Sequence, residues 1–221
     1  GPRRVGKTIL LKQIIKDLLA EGVPAGHILY VPFDELPSLK GILEPVLAIS
    51  RWYEKEILKA SFNSIAKASS PVYLFFDEVQ NLDAWAPQIK NLVDNHPVRA
   101  LITGSSSLRI EAGRDSLAGR ITTMDLGPLF LREISELRSG ASINPFWGDN
   151  GLDKLATRDF WLQAKERAAQ EKDQRAQAFS AFSERGAYPI AHDKAANPWP
   201  EVADYLNETV IQRAIRHDLR M

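Results

Sequence analysis

The sequence predicts a three-layer α/β core built on a parallel sheet, followed by a helical segment. Three observations carry that expectation. A glycine-framed loop, Gly1-Pro2-Arg3-Arg4-Val5-Gly6-Lys7-Thr8, runs straight into a helical apolar pattern. A continuous apolar run over residues 71–76 is closed by Asp77 and Glu78. Two more short strand-like segments, residues 29–33 and 98–102, are separated from it by helical stretches, the alternation expected of a layered α/β unit.

The opening loop fits G-x-x-x-x-G-K-[ST] at every fixed position. Its glycines let the backbone turn tightly and approach a polyphosphate, so that consecutive N–H groups converge on the oxygens. The loop from Gly1 through Pro2, Arg3, Arg4 and Val5 to Gly6 is therefore the phosphate cradle. Lys7 would set a point charge on the β- and γ-phosphates, and the Thr8 hydroxyl would ligate Mg²⁺. A helix should follow at once and turn its positive N-terminal end to the phosphates. Ile9, Leu10, Ile14 and Leu18, with Leu11, Ile15 and Leu19, repeat at helical spacing, and Gly22 supplies the stop. A phosphate loop normally joins a buried strand to its helix. No residue precedes this loop, so the reading is of a fragment lacking its first strand. Strands such as residues 72–76 would then lose a neighbour and expose apolar surface.

Residues 71–76 are apolar on both faces, as in the middle of a parallel sheet covered on each side. Asp77 and Glu78 fall at the carboxyl end of that strand, where open α/β sheets bind ligands. Asp77 would hold Mg²⁺ opposite Thr8, and Glu78 would orient or deprotonate an attacking water. Between the two motifs lie one further strand, residues 29–33, and a long helical stretch, residues 41–65. An extra strand there, with Glu directly after Asp, points to the ATPase branch with a built-in catalytic acid. No Asn-Lys-x-Asp motif for guanine is present, which favours adenine.

A helix with Trp85, Ile89, Leu92 and Val93 on one face leads to the strand 98–102, which ends in Thr103-Gly104-Ser105-Ser106-Ser107. Two readings stay open for this cluster. A hydroxyl at Thr103 or Ser105 contacts the attacking water or the γ-phosphate, or the serines cap the next helix. Leu117-Ala118-Gly119-Arg120 then precedes a strand over residues 121–126. Arg120 reads either as an arginine finger acting in a neighbouring subunit's site or as a surface ion-pair residue. Arg114 is the poorer finger candidate.

Together these motifs resemble the prokaryotic AAA-type P-loop ATPases in which a domain of unknown function follows the ATPase core. Arg185-Gly186-Ala187-Tyr188-Pro189 and Tyr205-Leu206-Asn207-Glu208-Thr209-Val210 are similar to that group's later pattern, and the likeness covers residues 1–137 and 179–221. The resemblance implies an ATP-binding and ATP-hydrolysing core with a helical lid. Lys7, Thr8, Asp77 and Glu78 match its nucleotide positions, and Ser105 and Arg120 match its sensor and post-sensor arginine. The group's Gly-Gly-Tyr-Pro-Glu reads Gly186-Ala187-Tyr188-Pro189-Ile190, and its terminal Arg-Asp reads His217-Asp218 with Arg216 one place earlier. The resemblance also implies a C-terminal region beyond Met221, so the chain reads as truncated at both ends.

Residues 152–182 predict one or two helices whose alternating charges mark a solvated, ion-paired face. Pro198 and Pro200 bracket Trp199 and open a last helix with Val202, Leu206, Val210 and Ala214 on one face. Its Arg213, Arg216 and Arg220 read as a basic C-terminal turn or as contacts to phosphate or a partner. The domains are therefore a P-loop core over residues 1–138 and a helical lid or linker segment over residues 139–221, with the linker composition at 139–151.

Composition limits the alternatives. The 221 residues carry 28 Lys+Arg against 28 Asp+Glu and no cysteine, with 44% hydrophobic residues. That is enough for a substantial core. Balanced charge argues against a strongly basic nucleic-acid binder. The absence of cysteine excludes disulfides, thiolate chemistry and Cys-bound zinc. No apolar stretch is long enough to span a bilayer and no signal peptide is visible, which gives a cytoplasmic expectation without membrane partners. The four histidines show no ligand-like spacing, so Mg²⁺ is the expected metal and ATP the expected ligand. The expected activity is Mg²⁺-dependent hydrolysis of ATP to ADP and phosphate, coupled to conformational change. Two alternatives remain: a nucleotide-gated switch with little or no turnover, and an ATPase associated with nucleic acid. The finger reading of Arg120 would imply a homo-oligomer; the sequence leaves the oligomeric state and any protein partner open.

Overall fold

The structure is a computed structural model that describes residues 2–68, 71–105, 117–146, 152–193, 197–212 and 215–216. They form two compact units, one of residues 2–126 with 215–216 and the other of residues 127–212. The sequence reading sets the core over residues 1–138. The helix Leu131–Ser139 packs against later helices and groups with them. Among the described residues no helix is long and apolar enough to cross a membrane.

The first unit begins with α1 (Lys7–Ala20) and continues through β1 (Ile28–Pro32), α2 (Pro45–Trp52), α3 (Phe62–Ala68), β2 (Val72–Asp77), α4 (Trp85–Asn95) and β3 (Val98–Ile102). All three strands run parallel in the order β1-β2-β3. The expected α/β core with a parallel sheet is what forms. Gly22, at φ 88°, follows α1 as the stop that the glycine predicts.

β2 holds the centre of the sheet, with β1 and β3 bonded on either side. Val72, Leu74, Phe75 and Phe76 are all fully buried. The expectation that this strand loses a neighbour and exposes apolar surface is therefore overturned. Side chains alternate across a strand. Val72, Leu74 and Phe76 enter the main core with Val31, Phe33, Val46, Tyr53, Phe62, Ile89 and Leu92, while Phe75 and Asp77 point to the opposite face.

Two further expectations change. The helical stretch over residues 41–65 is broken. α2 widens into a π-type turn over Tyr53–Leu58, and Lys59 turns left-handed at φ 53°. Glu54 then accepts a hydrogen bond of 2.7 Å from the backbone N–H of Phe62, the first residue of α3. The strand over residues 121–126 does not form. Ile121 packs against the core, but the segment is irregular and Met124 is 81% exposed. A strand needs a ladder partner, and among the described residues none pairs with this segment.

The second unit comprises α5 (Leu131–Ser139), α6 (Arg158–Gln170), α7 (Lys172–Arg185), α8 (Pro189–Asp193) and α9 (Trp199–Leu206), the last continuing as a π-type turn over Asn207–Gln212. Two helices thus occupy the region read as one or two, separated at Glu171. Glu133 caps α5 by accepting the Phe130 N–H at 2.6 Å. α5 packs on α7 and α8. Gln174 of α7 donates to Ser135 at 3.0 Å and to the Ala141 carbonyl at 2.9 Å, which ties α7 to the end of α5.

His192 of α8 is buried beside Arg138, Arg185 and Glu184 and bonds the Gly186 carbonyl oxygen at 2.9 Å. Burial, chiefly, holds its imidazole below the ordinary histidine value, and the two arginines push the same way against the Gly186 bond and Glu184. The native state thus binds the proton less readily than the unfolded chain. Stability of this unit should fall as pH drops below about 6.5 towards the depressed native value, and level off beneath it. Urea midpoints of the helical unit's transition at pH 7.5 and 5.5 check this, and His192→Gln should flatten the difference.

Candidate functional site

The loop before α1 has the backbone its glycine was expected to supply. Gly6 adopts φ 99°, and the space where a Cβ would stand is open, with nothing within 4 Å. The Gly6 carbonyl accepts the Leu10 N–H at 2.9 Å, closing the first helical turn. No side chain caps α1 among the described residues. Arg4 is left-handed at φ 62°, and Val5 is buried, pinning the loop to the unit. Pro2 and Arg4 are exposed, and Arg3 is half-buried. Gly1 lies outside the described residues.

Lys7 donates to the Pro2 carbonyl at 2.6 Å across the loop. Burial pushes its ammonium below the ordinary lysine value. Glu78 and Asp77 counter that, and Arg3 adds to it. A lysine flanked by both carboxylates and an arginine stands where positive and negative charge meet. Such a position suits a polyanion carrying a cation.

Asp77 ends β2 and is 2% exposed. A carboxylate so buried must be satisfied by donors. Thr8 donates to Oδ2 at 2.7 Å, Tyr30 donates to the same oxygen at 3.0 Å, and Thr103 donates to Oδ1. The Thr8 bond joins the start of α1 to the end of β2, so the structure brings the two expected metal-binding side chains together. Their donor set, one hydroxyl and one carboxylate, is all oxygen. That suits Mg²⁺, which takes few protein ligands and completes its shell with phosphate oxygens and water. Among the described residues no group of three or more His, Asp or Glu is arranged to hold a metal ion.

Glu78 follows in a left-handed conformation, φ 56°. Its backbone N–H donates to Thr103 Oγ1 at 3.2 Å. Ser105 donates to its Oε2 at 2.7 Å, and Gln80 donates to the same oxygen and to Ser105 Oγ at 3.1 Å. Thr103 and Ser105 therefore attach to the two acids, Thr103 to Asp77 and Ser105 to Glu78. Ser106 and Ser107 lie outside the described residues.

Arg120 is placed elsewhere. Its Nε donates to Asp94 of α4 at 2.6 Å and its Nη1 to the Ala118 carbonyl at 3.3 Å. The bond to Asp94 raises its already high pKa. This is the geometry of an exposed ion pair. Arg114, Arg213, His217, Asp218 and Arg220 lie outside the described residues, and Arg216 is exposed.

Two residues of the cluster escaped the sequence reading. Gln80 sits two places after Glu78, just past the Asp77-Glu78 pair, and is buried. Tyr30 comes from β1, and only strand register brings it to Asp77. Burial and the Asp77 carboxylate, with Glu35 and Asp34 nearby, hold its phenol above the ordinary tyrosine range.

A family model described as AAA domain matches residues 1–135. The chain belongs to the AAA domain family. The match takes in the whole sheet, α1 and the cluster around Asp77, and ends within α5. No curated protein and no solved structure matches the chain. As an AAA domain it is a nucleotide-binding unit of the AAA type.

Proposed function

We propose that this AAA domain binds ATP with Mg²⁺ and hydrolyses it to ADP and phosphate. The carrying observation is the direct hydrogen bond between Thr8 and Asp77, which ties the phosphate-loop helix to the acidic end of β2. Residues 2–6 and the N-terminus of α1 cradle the phosphates, and Lys7 exchanges the Pro2 carbonyl for a phosphate oxygen. Thr8 and Asp77 hold Mg²⁺, whose charge neutralises the β- and γ-phosphate oxygens when it is bound. Glu78 orients the attacking water and takes its proton, while Ser105 and Gln80 fix the carboxylate that does so. Arg120 contributes in a neighbouring subunit's site once it leaves Asp94. The helical unit that begins at Gly127 is the element that responds to turnover.

One observation favours a second reading, a nucleotide-gated switch with little turnover: Glu78 is already held by two side chains, Ser105 and Gln80. Steady-state phosphate release by the full chain, with ATP and with GTP, separates the two. The expected result is release above the buffer rate that needs ATP and Mg²⁺ and is lost with EDTA. Tight ATP binding with release at the buffer rate leaves the switch. Absence of nucleotide binding removes both.

A further inference from the structure

Asp77 and Thr8 account for the metal side of the site, yet Tyr30 supplies a third contact that neither motif contains. β1 and β2 pair in register with Tyr30 opposite Phe75 and Pro32 opposite Asp77. Alternation puts Tyr30, Pro32, Phe75 and Asp77 on one face of the sheet. Pro32, directly across from Asp77, has no polar side-chain atom. Tyr30, two residues back, is long enough to reach diagonally, and its hydroxyl meets Asp77 Oδ2 at 3.0 Å. Thr8 donates to that same oxygen at 2.7 Å, and Thr103 holds the other. The carboxylate plane is thus fixed by hydroxyls from α1, β1 and the segment after β3.

We propose that Tyr30 is a positioning residue for the metal of the nucleotide site, orienting Asp77 through its phenolic hydroxyl. The assignment rests on the Mg²⁺-nucleotide reading given above. Partners that hold a ligating carboxylate set its direction and basicity, and their loss weakens metal binding without touching the other ligands. Tyr30 bonds the carboxylate of Asp77, whereas Lys7 and the loop act on the nucleotide itself. Removing the hydroxyl should therefore weaken the metal-dependent part of nucleotide binding and spare the metal-free part.

Tyr30→Phe in the full chain tests this, because it deletes the donor and keeps the half-buried ring. Binding of a fluorescent ATP analogue is followed in EDTA and then across a Mg²⁺ titration. Tyr53→Phe is the control. Tyr53 donates to the Gly26 carbonyl at 2.5 Å and lies in the main core, so it loses a tyrosine hydrogen bond away from Asp77. The expected result is a Mg²⁺ midpoint about tenfold higher in Tyr30→Phe, at the lower end of what lost partners of metal ligands cost. Binding in EDTA should be unchanged, and Tyr53→Phe should match the wild type in both. A Tyr30→Phe midpoint equal to the wild type overturns the assignment, as does an equal loss in EDTA and in Mg²⁺. If wild-type binding ignores Mg²⁺, the reading of the site fails and the role of Tyr30 goes with it. A wild-type response matched by Tyr30→Phe removes the role of Tyr30 alone.

Discussion

Glu78→Gln should leave ATP binding intact and cut steady-state turnover by about 10² to 10⁴, the range that a positioned general base contributes. The substitution keeps the size of the side chain and one oxygen to accept from Ser105, which donates to Oε2 at 2.7 Å. It removes the charge and the basicity. The phosphate loop, Lys7, Thr8 and Asp77 are untouched, so the affinity for nucleotide should move little. Phosphate release and equilibrium binding, measured on the same preparation, check both halves. Turnover within a factor of two of wild type would remove Glu78 from the proton-transfer role.

Phe76→Ala should be the most destabilising single change in the sheet, at about 3–5 kcal/mol. Phe76 is fully buried in the central strand, packed against Phe33 with ring centroids 5.8 Å apart. Its neighbours on the same face, Leu74 and Val72, are equally enclosed, so the cavity has little means of closing. At two to four degrees per kcal/mol, the sheet unit's melting midpoint should fall by roughly 10 °C. Met124→Ala, at an 81% exposed position of the same unit, should stay within about 0.5 kcal/mol. Thermal unfolding followed by circular dichroism compares the two. A comparable loss in both would mean that the assigned core is not the source of stability.

What could be read from the chain was whatever sequence spacing encodes locally. The loop-helix motif located Lys7 and Thr8, and the apolar run located Asp77 and Glu78, because each motif is contiguous. Their approach to one another followed from strand and helix order. Tyr30 could not be read in the same way, since its partner lies 47 residues away and strand register alone places it. The missing strand over residues 121–126 has the same origin: Ile121, Thr122 and Thr123 are strand-favouring residue types, but pairing is a non-local event. Lys59 breaks the helical stretch without the glycine or proline that would announce a break. Periodicity also overstated burial. The apolar repeat correctly placed α1, yet Ile9 and Leu19 are 57% and 44% exposed. A helical period fixes the face a residue shares and says nothing of what covers it.

The left-handed backbone of Glu78 has a bearing on protein engineering. A designer seeking heat tolerance by regularising backbone geometry would look for non-glycine residues at positive φ and replace them with glycine. Glu78, at φ 56°, is such a position, and relieving it offers on the order of 1–2 kcal/mol. That replacement would also delete the carboxylate held by Ser105 and Gln80. Lys59 and Ala84, left-handed at φ 53° and 48°, offer the same conformational relief with no carboxylate to lose. On the role proposed for Glu78, a thermostabilised library drawn up on geometry alone would be enriched in members without turnover, and Glu78 should be held constant in it.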